Sequence, residues 1–347
     1  MPVSPWNLPT SDIDAGVWNS AGSLESMRGA RVLVTGGTGF LGSWLVSSLL
    51  RASTLLGLGL RLVLLTRNPD SVPIAESPEV SLLRGDVRSL DDPGELNFIV
   101  HGAATSSSIY GQDDGIPKNM AATVVEGTQA VLDLGARYHA RVLFLSSGAV
   151  YGPQTSPVSE DCMSAPDSMD PRSTYGQAKR LAETLCVAAA ESLEVSVVVA
   201  RLFAFIGPRI PLDIHFAAGN FMRDALDGRP ITVGSDGLPR RSYMYTGDLP
   251  EWCWTLIAAG RSGVAYNVGS SEPVTIAELA NEIARIPAPP LEVQILGAPN
   301  GETPPWYVPV TTRVETEFGL GLRTPLDDAL QKTYAWFSEF RAGTRSA

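Results

Sequence analysis

The chain has 347 residues, of which 44% are hydrophobic and 18% charged, and its net charge is −11. This composition is typical of a globular protein with an apolar core, and the negative charge argues against nucleic acid or an anionic membrane as the main partner. The three cysteines lack metal-ligand spacing, and neither a signal peptide nor a membrane span is evident. We therefore expect a cytoplasmic protein without a metal site.

Residues 1–28 precede the first predicted strand and contain three prolines and two tryptophans, Trp6 and Trp18. We interpret this segment as an N-terminal arm outside the fold proper. The tryptophans suggest that part of it docks on the body of the protein, and a loose tail is the alternative.

Residues 31–42 combine a buried strand, a glycine turn and the start of an apolar helix. The strand covers residues 32–34, and Gly36, Gly39 and Gly42 follow at intervals of three. Glycines at this spacing allow a tight turn and a close approach of a pyrophosphate to the backbone, and the helix N-terminus offers free N–H groups. The pattern predicts a dinucleotide site whose contacts include Gly36, Gly39, Phe40 and Leu41.

Strands and helices then alternate, which favours an α/β Rossmann fold with a doubly wound parallel sheet. The predicted strands are residues 62–65, 80–83, 98–100, 142–145 and 195–200, and the long helices are residues 120–138 and 173–190. Residues 29–205 form this Rossmann domain. Prolines and glycines break the chain afterwards, so residues 206–347 are expected to form mainly a smaller mixed α/β substrate domain, from which some segments return to the sheet. Its predicted elements are helices near 220–226, 275–283 and 326–340 and strands at 231–233 and 241–245.

The end of the second strand bears on the choice of cofactor. An NAD site usually has an acid there, but this chain reads Leu65-Thr66-Arg67-Asn68, and the first acid is Asp70. Arg67 can grip a 2′-phosphate, which favours NADP; alternatively, Arg67 stacks on the adenine of NAD.

Tyr175 and Lys179 are four residues apart on a predicted helix, so they share one face. An ammonium group and the positive ring of an oxidised nicotinamide stabilise a phenolate, which lowers the pKa of the tyrosine. Ser147, at the end of the fifth strand, can hold the same substrate oxygen. The three residues therefore predict proton exchange with a hydroxyl while a hydride moves to the nicotinamide.

These motifs resemble the extended short-chain dehydrogenase/reductase superfamily, in its nucleotide-sugar epimerase/dehydratase branch. The resemblance covers about residues 29–340 and rests on the segments at 35–42, 85–87, 101–104, 146–152, 175–179, 201–203, 207–209, 219–221 and 241–245 and on Asp248. It implies further cofactor contacts at Asp86, Val87, Ala103 and Ala104 and a contact of Lys179 with the nicotinamide ribose. It also implies that Asn220 and Arg241 hold the diphosphate of a nucleotide-sugar substrate.

The sequence also departs from the family pattern. Two asparagines of the family are replaced, one by Thr123 and Val124 and the other by Ala204. A second diphosphate arginine is not evident, and Tyr307 or Arg313 is a candidate substitute.

Family dehydratases carry an Asp-Glu pair after the hydroxyl residue of strand five, where this chain has Gly148 and Ala149. The usual acid and base for elimination of water are therefore missing. We expect an epimerase that works through a keto sugar. The alternatives are an NADPH-dependent ketoreductase and a non-catalytic, cofactor-sensing regulator.

The helices at 120–138 and 173–190 are also expected to pair with a second copy as the four-helix interface of a homodimer.

Overall fold

A seven-stranded parallel sheet organises the fold. The computed structural model describes residues 6–72, 77–104, 116–192, 195–214 and 216–345. The strand order is β11-β6-β5-β4-β1-β2-β3. The strands are β1 (Arg31–Thr35), β2 (Arg61–Thr66), β3 (Val80–Arg84), β4 (Phe98–His101), β5 (Arg141–Ser147), β6 (Val197–Leu202) and β11 (Ala265–Val268). The order reverses between β1 and β4, as in a doubly wound Rossmann sheet.

Apolar side chains cover both faces of this sheet. Along β1, Val32 and Val34 enter one hydrophobic cluster, and Leu33 enters another on the opposite face. Successive side chains of a strand point to opposite faces, so a strand buried on both sides needs a continuous apolar run. Six strands were predicted within two residues of their observed ends; the seventh, β11, returns from the C-terminal half.

Two long helices, α4 (Ile116–Tyr138) and α5 (Thr174–Ser192), pack against each other, and most of their buried apolar residues belong to the cluster that contains Leu33. On the other face lie α3 (Phe40–Leu55) and α7 (Leu249–Ala259). The sheet is therefore a middle layer between two helical layers.

The N-terminal segment differs from the predicted arm. It forms α1 (Thr10–Asn19) and α2 (Ala21–Glu25), which pack on α3 and α7. Ile13, Val17 and Leu24 are buried in the main core. The segment therefore docks on the body of the protein. Trp6 packs against the same core, as expected, whereas Trp18 is 57% exposed.

The C-terminal half consists of short strands and helices. They are β7 (Ala204–Ile206), α6 (Ala217–Leu226), β8 (Ile231–Val233), β9 (Arg240–Arg241), β10 (Tyr243–Tyr245), β12 (Val274–Thr275), α8 (Ile276–Ala284), β13 (Val293–Ile295), β14 (Trp306–Tyr307), α9 (Thr312–Phe318) and α10 (Leu326–Arg345). The single strand predicted at 241–245 is wrong. Its residues form two strands because β9 pairs with β12 and β14, whereas β10 pairs with β7.

In the described part of the chain, no helix combines the length and apolar character that a membrane crossing requires. The same residues contain no cluster of three or more His, Cys, Asp or Glu side chains that could hold a metal ion.

Candidate active site

A cavity of about 1070 Å³ lies at the carboxyl ends of the parallel strands and extends to the C-terminal half. Ligands of open α/β sheets bind at this edge. The cavity is lined by all the residues that the sequence assigns to cofactor, catalysis or substrate: Gly36, Gly39, Phe40, Leu41, Arg67, Asp86, Val87, Ala103, Ala104, Ser147, Tyr175, Lys179, Asn220 and Arg241. The fold therefore brings these side chains together; their individual roles remain predictions.

The glycine turn has the form that a pyrophosphate requires. Gly36 has φ +73°, and a Cβ there would lie 2.5 Å from the backbone of Gly102. A Cβ on Gly42 would lie 2.2 Å from the carbonyl oxygen of Gly36, so both positions need glycine. Gly39 is the N-cap of α3 and lines the cavity. The first-turn N–H groups of α3 and the backbone at Gly39 thus fit the diphosphate of a dinucleotide.

Charged groups lie beside the end of β2. Asp86 accepts hydrogen bonds from Arg88 Nε at 2.8 Å and Nη2 at 3.1 Å, and this pairing lowers the pKa of Asp86. Arg67 adds a second, weaker electrostatic stabilisation of the same carboxylate. Asp70, the first acid after β2, contacts Arg84 at 3.4 Å. The charged residue that directly follows β2 is therefore the cation Arg67 and not an acid.

Ser147 ends β5, and Tyr175 and Lys179 lie one turn apart near the start of α5. Lys179 Nζ donates a hydrogen bond to the carbonyl oxygen of Leu145 at 2.7 Å and lies 6.0 Å from the ring centroid of Tyr175. Burial lowers the pKa of Lys179 to about 8. Burial also raises the pKa of Tyr175 above its usual value. The lowered tyrosine pKa expected from the sequence is therefore not a property of the chain alone, since burial and the neighbouring Tyr307 outweigh the hydrogen bond with Ser147.

A buried acid that the sequence analysis missed lies one further turn along α5. Glu183 accepts a hydrogen bond from Ser146 Oγ at 2.6 Å and forms an ion pair with Arg201, whose Nη2 lies 2.7 Å from Glu183 Oε2. The negative charge of Glu183 raises the pKa of Lys179 against the effect of burial. The i, i+4 spacing of Lys179 and Glu183 was a signal that these two charges are neighbours.

The structure separates the two candidates for the missing diphosphate arginine. Tyr307 lines the cavity, and its hydroxyl lies 3.3 Å from Ser147 Oγ. Arg313 instead donates to Asp161 Oδ1 at 2.6 Å and to the carbonyl oxygen of Ala265 at 2.9 Å. Arg313 is not among the described residues that line the cavity, so the structure favours Tyr307 of the two.

The predicted substrate residues lie on two different elements. Arg241, on β9, has its guanidinium 5.6 Å from the ring centroid of Tyr307. Asn220, on α6, directs its side-chain amide at the carbonyl oxygens of Leu212 and Ile214, both at 3.1 Å. The guanidinium of Arg241 is well suited to a diphosphate because of its charge and forked donors.

Three of the positions that depart from the family pattern are also at the cavity. Thr123, Ala149 and Ala204 contribute to its lining. A Cβ on Gly148 would lie 2.8 Å from the ring of Phe203, so an aromatic side chain fills the adjacent space. Among the described residues that line the cavity, the one carboxylate is Asp86.

The model of the NAD dependent epimerase/dehydratase family matches residues 32–269 of this chain. UDP-glucuronic acid decarboxylase 6 from Arabidopsis thaliana is 30% identical over 284 residues, which are 77% of each protein. UDP-glucuronic acid decarboxylase 1 from Danio rerio is 30% identical over 325 residues, covering 89% of this chain and 72% of the relative.

Solved structures show the same fold. The dTDP-glucose 4,6-dehydratase of Streptomyces venezuelae, solved with NAD, is 25% identical with a TM-score of 0.75, covering 90% of this chain and 98% of the other. The UDP-glucuronic acid 4-epimerase of Bacillus cereus, also with NAD, is 22% identical with a TM-score of 0.76 and the same coverage. The chain therefore belongs to the NAD-dependent epimerase/dehydratase family of nucleotide-sugar enzymes, which are extended short-chain dehydrogenases/reductases.

Proposed function

We propose that this enzyme decarboxylates UDP-glucuronic acid through a transient ketone at C4 of the sugar. The observation that carries the proposal is the meeting of Ser147, Tyr175 and Lys179 in the cavity that also contains the glycine turn and Arg241. Relatives that are 30% identical over most of the chain are UDP-glucuronic acid decarboxylases, which supports the choice of substrate.

Each catalytic side chain has a distinct task. Ser147 holds the C4 oxygen by a hydrogen bond, and Tyr175 takes the hydroxyl proton as a phenolate. Lys179 supplies the positive charge that makes this phenolate accessible despite burial. A nicotinamide cofactor held at the glycine turn would supply reversible hydride transfer at C4. Arg241 holds the diphosphate and thereby fixes the sugar at the serine and tyrosine.

Decarboxylation also accounts for Gly148 and Ala149 in place of an acid and a base. A ketone at C4 makes the C6 carboxylate part of a β-keto acid. Its C5–C6 bond breaks because the bonding electrons pass into the ketone, so no side chain has to remove a proton from C5. Elimination of water, in contrast, needs both a base and an acid.

Epimerisation is the second candidate, and the charges of the cavity favour it. Among the described residues that line the cavity, the cationic side chains are Arg67, Lys179 and Arg241. Arg67 is assigned to the adenosine end of the cofactor, Lys179 to the nicotinamide end and Arg241 to the substrate diphosphate. None of these three cations remains to pair with a C6 carboxylate of the sugar. A neutral hexose would not need such a partner.

We also propose that the enzyme prefers NADP to NAD. The support is the position of Arg67 directly after β2 and the replacement of the usual acid at that point. Either cofactor is compatible with decarboxylation, because that reaction is redox-neutral overall. A preference for NADP also supports the alternative of an NADPH-dependent ketoreductase.

Product analysis tests the proposal. Purified protein with NAD or NADP is incubated separately with UDP-glucuronic acid and UDP-glucose, and CO₂ release and the sugar products are measured. We expect CO₂ and a UDP-pentose from the first substrate, and no turnover by Tyr175→Phe although this variant still binds cofactor. A C4-epimerised hexose without CO₂ would establish the second candidate. Cofactor binding without turnover of either sugar would overturn both.

A further inference from the structure

Tyr307 is held in a fixed position at the catalytic centre. Its strand, β14, pairs in parallel with β9, where Tyr307 lies opposite Arg241. On the other side, the backbone N–H of Trp306 donates to the carbonyl oxygen of Gln154 at 2.8 Å. Side chains on a strand bonded at both edges are positioned more precisely than side chains on a loop.

The surroundings of the Tyr307 hydroxyl suit a proton donor. The hydroxyl lies 3.3 Å from Ser147 Oγ, and the ring packs against Phe203 with 4.9 Å between centroids. Burial raises the pKa of Tyr307, whereas Ser147 and Arg241 lower it, with burial dominating. The phenol is therefore protonated at neutral pH, and the groups around it can stabilise the phenolate once the proton has left. Tyr307 also raises the pKa of Tyr175, so the two phenols are electrostatic neighbours.

The cavity offers few other acids for this task. Asp86, the one carboxylate among the described lining residues, is paired with Arg88. Tyr175 and Lys179 act at the C4 oxygen in the proposed reaction. Tyr243 also lines the cavity, and burial raises its pKa to about 12. Tyr307, unlike the carboxylate, shares the Ser147 hydroxyl that holds the substrate oxygen.

We propose that Tyr307 is the catalytic acid that delivers the proton to C5, an inference that rests on the proposed decarboxylation. When the C5–C6 bond breaks, CO₂ leaves and its electron pair forms the C4–C5 enolate, whose oxygen is held by Ser147 and Tyr175. The Tyr307 O–H bond then breaks, its proton forms the new C5–H bond, and the electron pair of the enolate returns to C5 while the C4 ketone re-forms. The phenolate of Tyr307 recovers its proton from water, so the sequence consumes one proton and releases one CO₂.

The test is a single-turnover reaction of Tyr307→Phe with UDP-glucuronic acid, followed by absorbance at 340 nm and by CO₂ release. Because Tyr175, Ser147 and Lys179 are intact, we expect reduction of the cofactor and loss of CO₂ to proceed. Reoxidation of the cofactor, which requires the protonated keto sugar, should slow by at least about 100-fold, the lower range for a general acid. Tyr243→Phe, which removes another buried phenol of the cavity, is the matched control and should reoxidise the cofactor normally.

The outcomes separate this inference from the proposed function. A wild-type enzyme that neither reduces its cofactor nor releases CO₂ refutes the decarboxylation itself. If wild-type protein decarboxylates and Tyr307→Phe reoxidises its cofactor at the wild-type rate, the acid is another group. If Tyr307→Phe does not reduce its cofactor at all, Tyr307 acts in substrate binding or in oxidation at C4, and the inference is also overturned. In D₂O, the wild-type product should carry one deuterium at C5, and the variant should release an unreduced keto sugar.

Discussion

Replacement of Glu183 by glutamine removes a buried negative charge close to Lys179, for which we propose a catalytic role. Glu183 and Arg201 side chains are 11% and 15% exposed, and Arg201 Nη2 lies 2.7 Å from Glu183 Oε2. A buried ion pair that loses one partner leaves an uncompensated charge, which costs about 3–5 kcal/mol. Since glutamine keeps the shape and one acceptor oxygen, we expect the free energy of unfolding to fall by about 3 kcal/mol, measured by denaturant titration.

The same substitution changes the titration of the active site. Glu183 raises the pKa of Lys179, which burial lowers to about 8. Without the carboxylate, the pKa of Lys179 falls further, so its ammonium form is lost at a lower pH. Turnover that depends on this ammonium should therefore decline at lower pH in Glu183→Gln than in the wild type, and the alkaline limb of the kcat/KM profile measures this shift.

Ser146→Ala is the matched control, because it removes the 2.6 Å hydrogen bond to Glu183 and keeps both charges. It should cost about 1 kcal/mol of stability and leave the alkaline limb in place. A Glu183→Gln enzyme with wild-type stability would refute the buried-pair argument. A destabilised enzyme with an unmoved limb would show that another group controls the high-pH loss of activity.

Three further predictions concern the ligands and assembly. Arg67→Ala should weaken binding of NADP by about tenfold or more and leave NAD affinity nearly unchanged, as measured by titration of both cofactors. Arg241→Ala should raise KM for the nucleotide sugar at least about tenfold, since a charge-assisted contact contributes roughly 1.5–3 kcal/mol, and an unchanged KM would place the diphosphate elsewhere. Leu181 and Val187 are 50% and 38% exposed on α5, so the wild type should be a dimer in light scattering and the double change to glutamate a monomer.

The sheet and the glycine turn could be predicted because their signals are local. A continuous apolar run at residues 32–34 requires burial on both faces, and Gly36 and Gly42 stand where any Cβ would collide with backbone. Helical spacing places Tyr175 and Lys179 on one face, and their position after the glycine turn and Ser147 indicates catalysis. These features depend on neighbours within a few residues, which is the information that a sequence pattern contains.

Features that depend on distant partners could not be predicted in the same way. The spacing of Ile13 and Val17 predicts a helix with an apolar face. The sequence pattern does not indicate that α3 and α7 bury this face. The predicted strand at 241–245 divides into β9 and β10 because β9 pairs with β14 and β10 pairs with β7. Both partner strands lie far away in sequence. Glu183 meets Arg201 because β6 lies beside β5, where Arg201 is in register with Ser146.

The packing after β5 leaves no room for a larger residue at position 148. The space beside Gly148 is filled by Phe203, whose ring atoms would lie 2.8 Å from a new Cβ. Phe203 in turn packs against Tyr307, and Tyr307 contacts Ser147. An acid at position 148 would therefore displace the ring that orients the phenol. The packing that excludes an acid at position 148 thus also holds Tyr307 beside Ser147, so in the proposed reaction the proton for C5 comes from the C-terminal half.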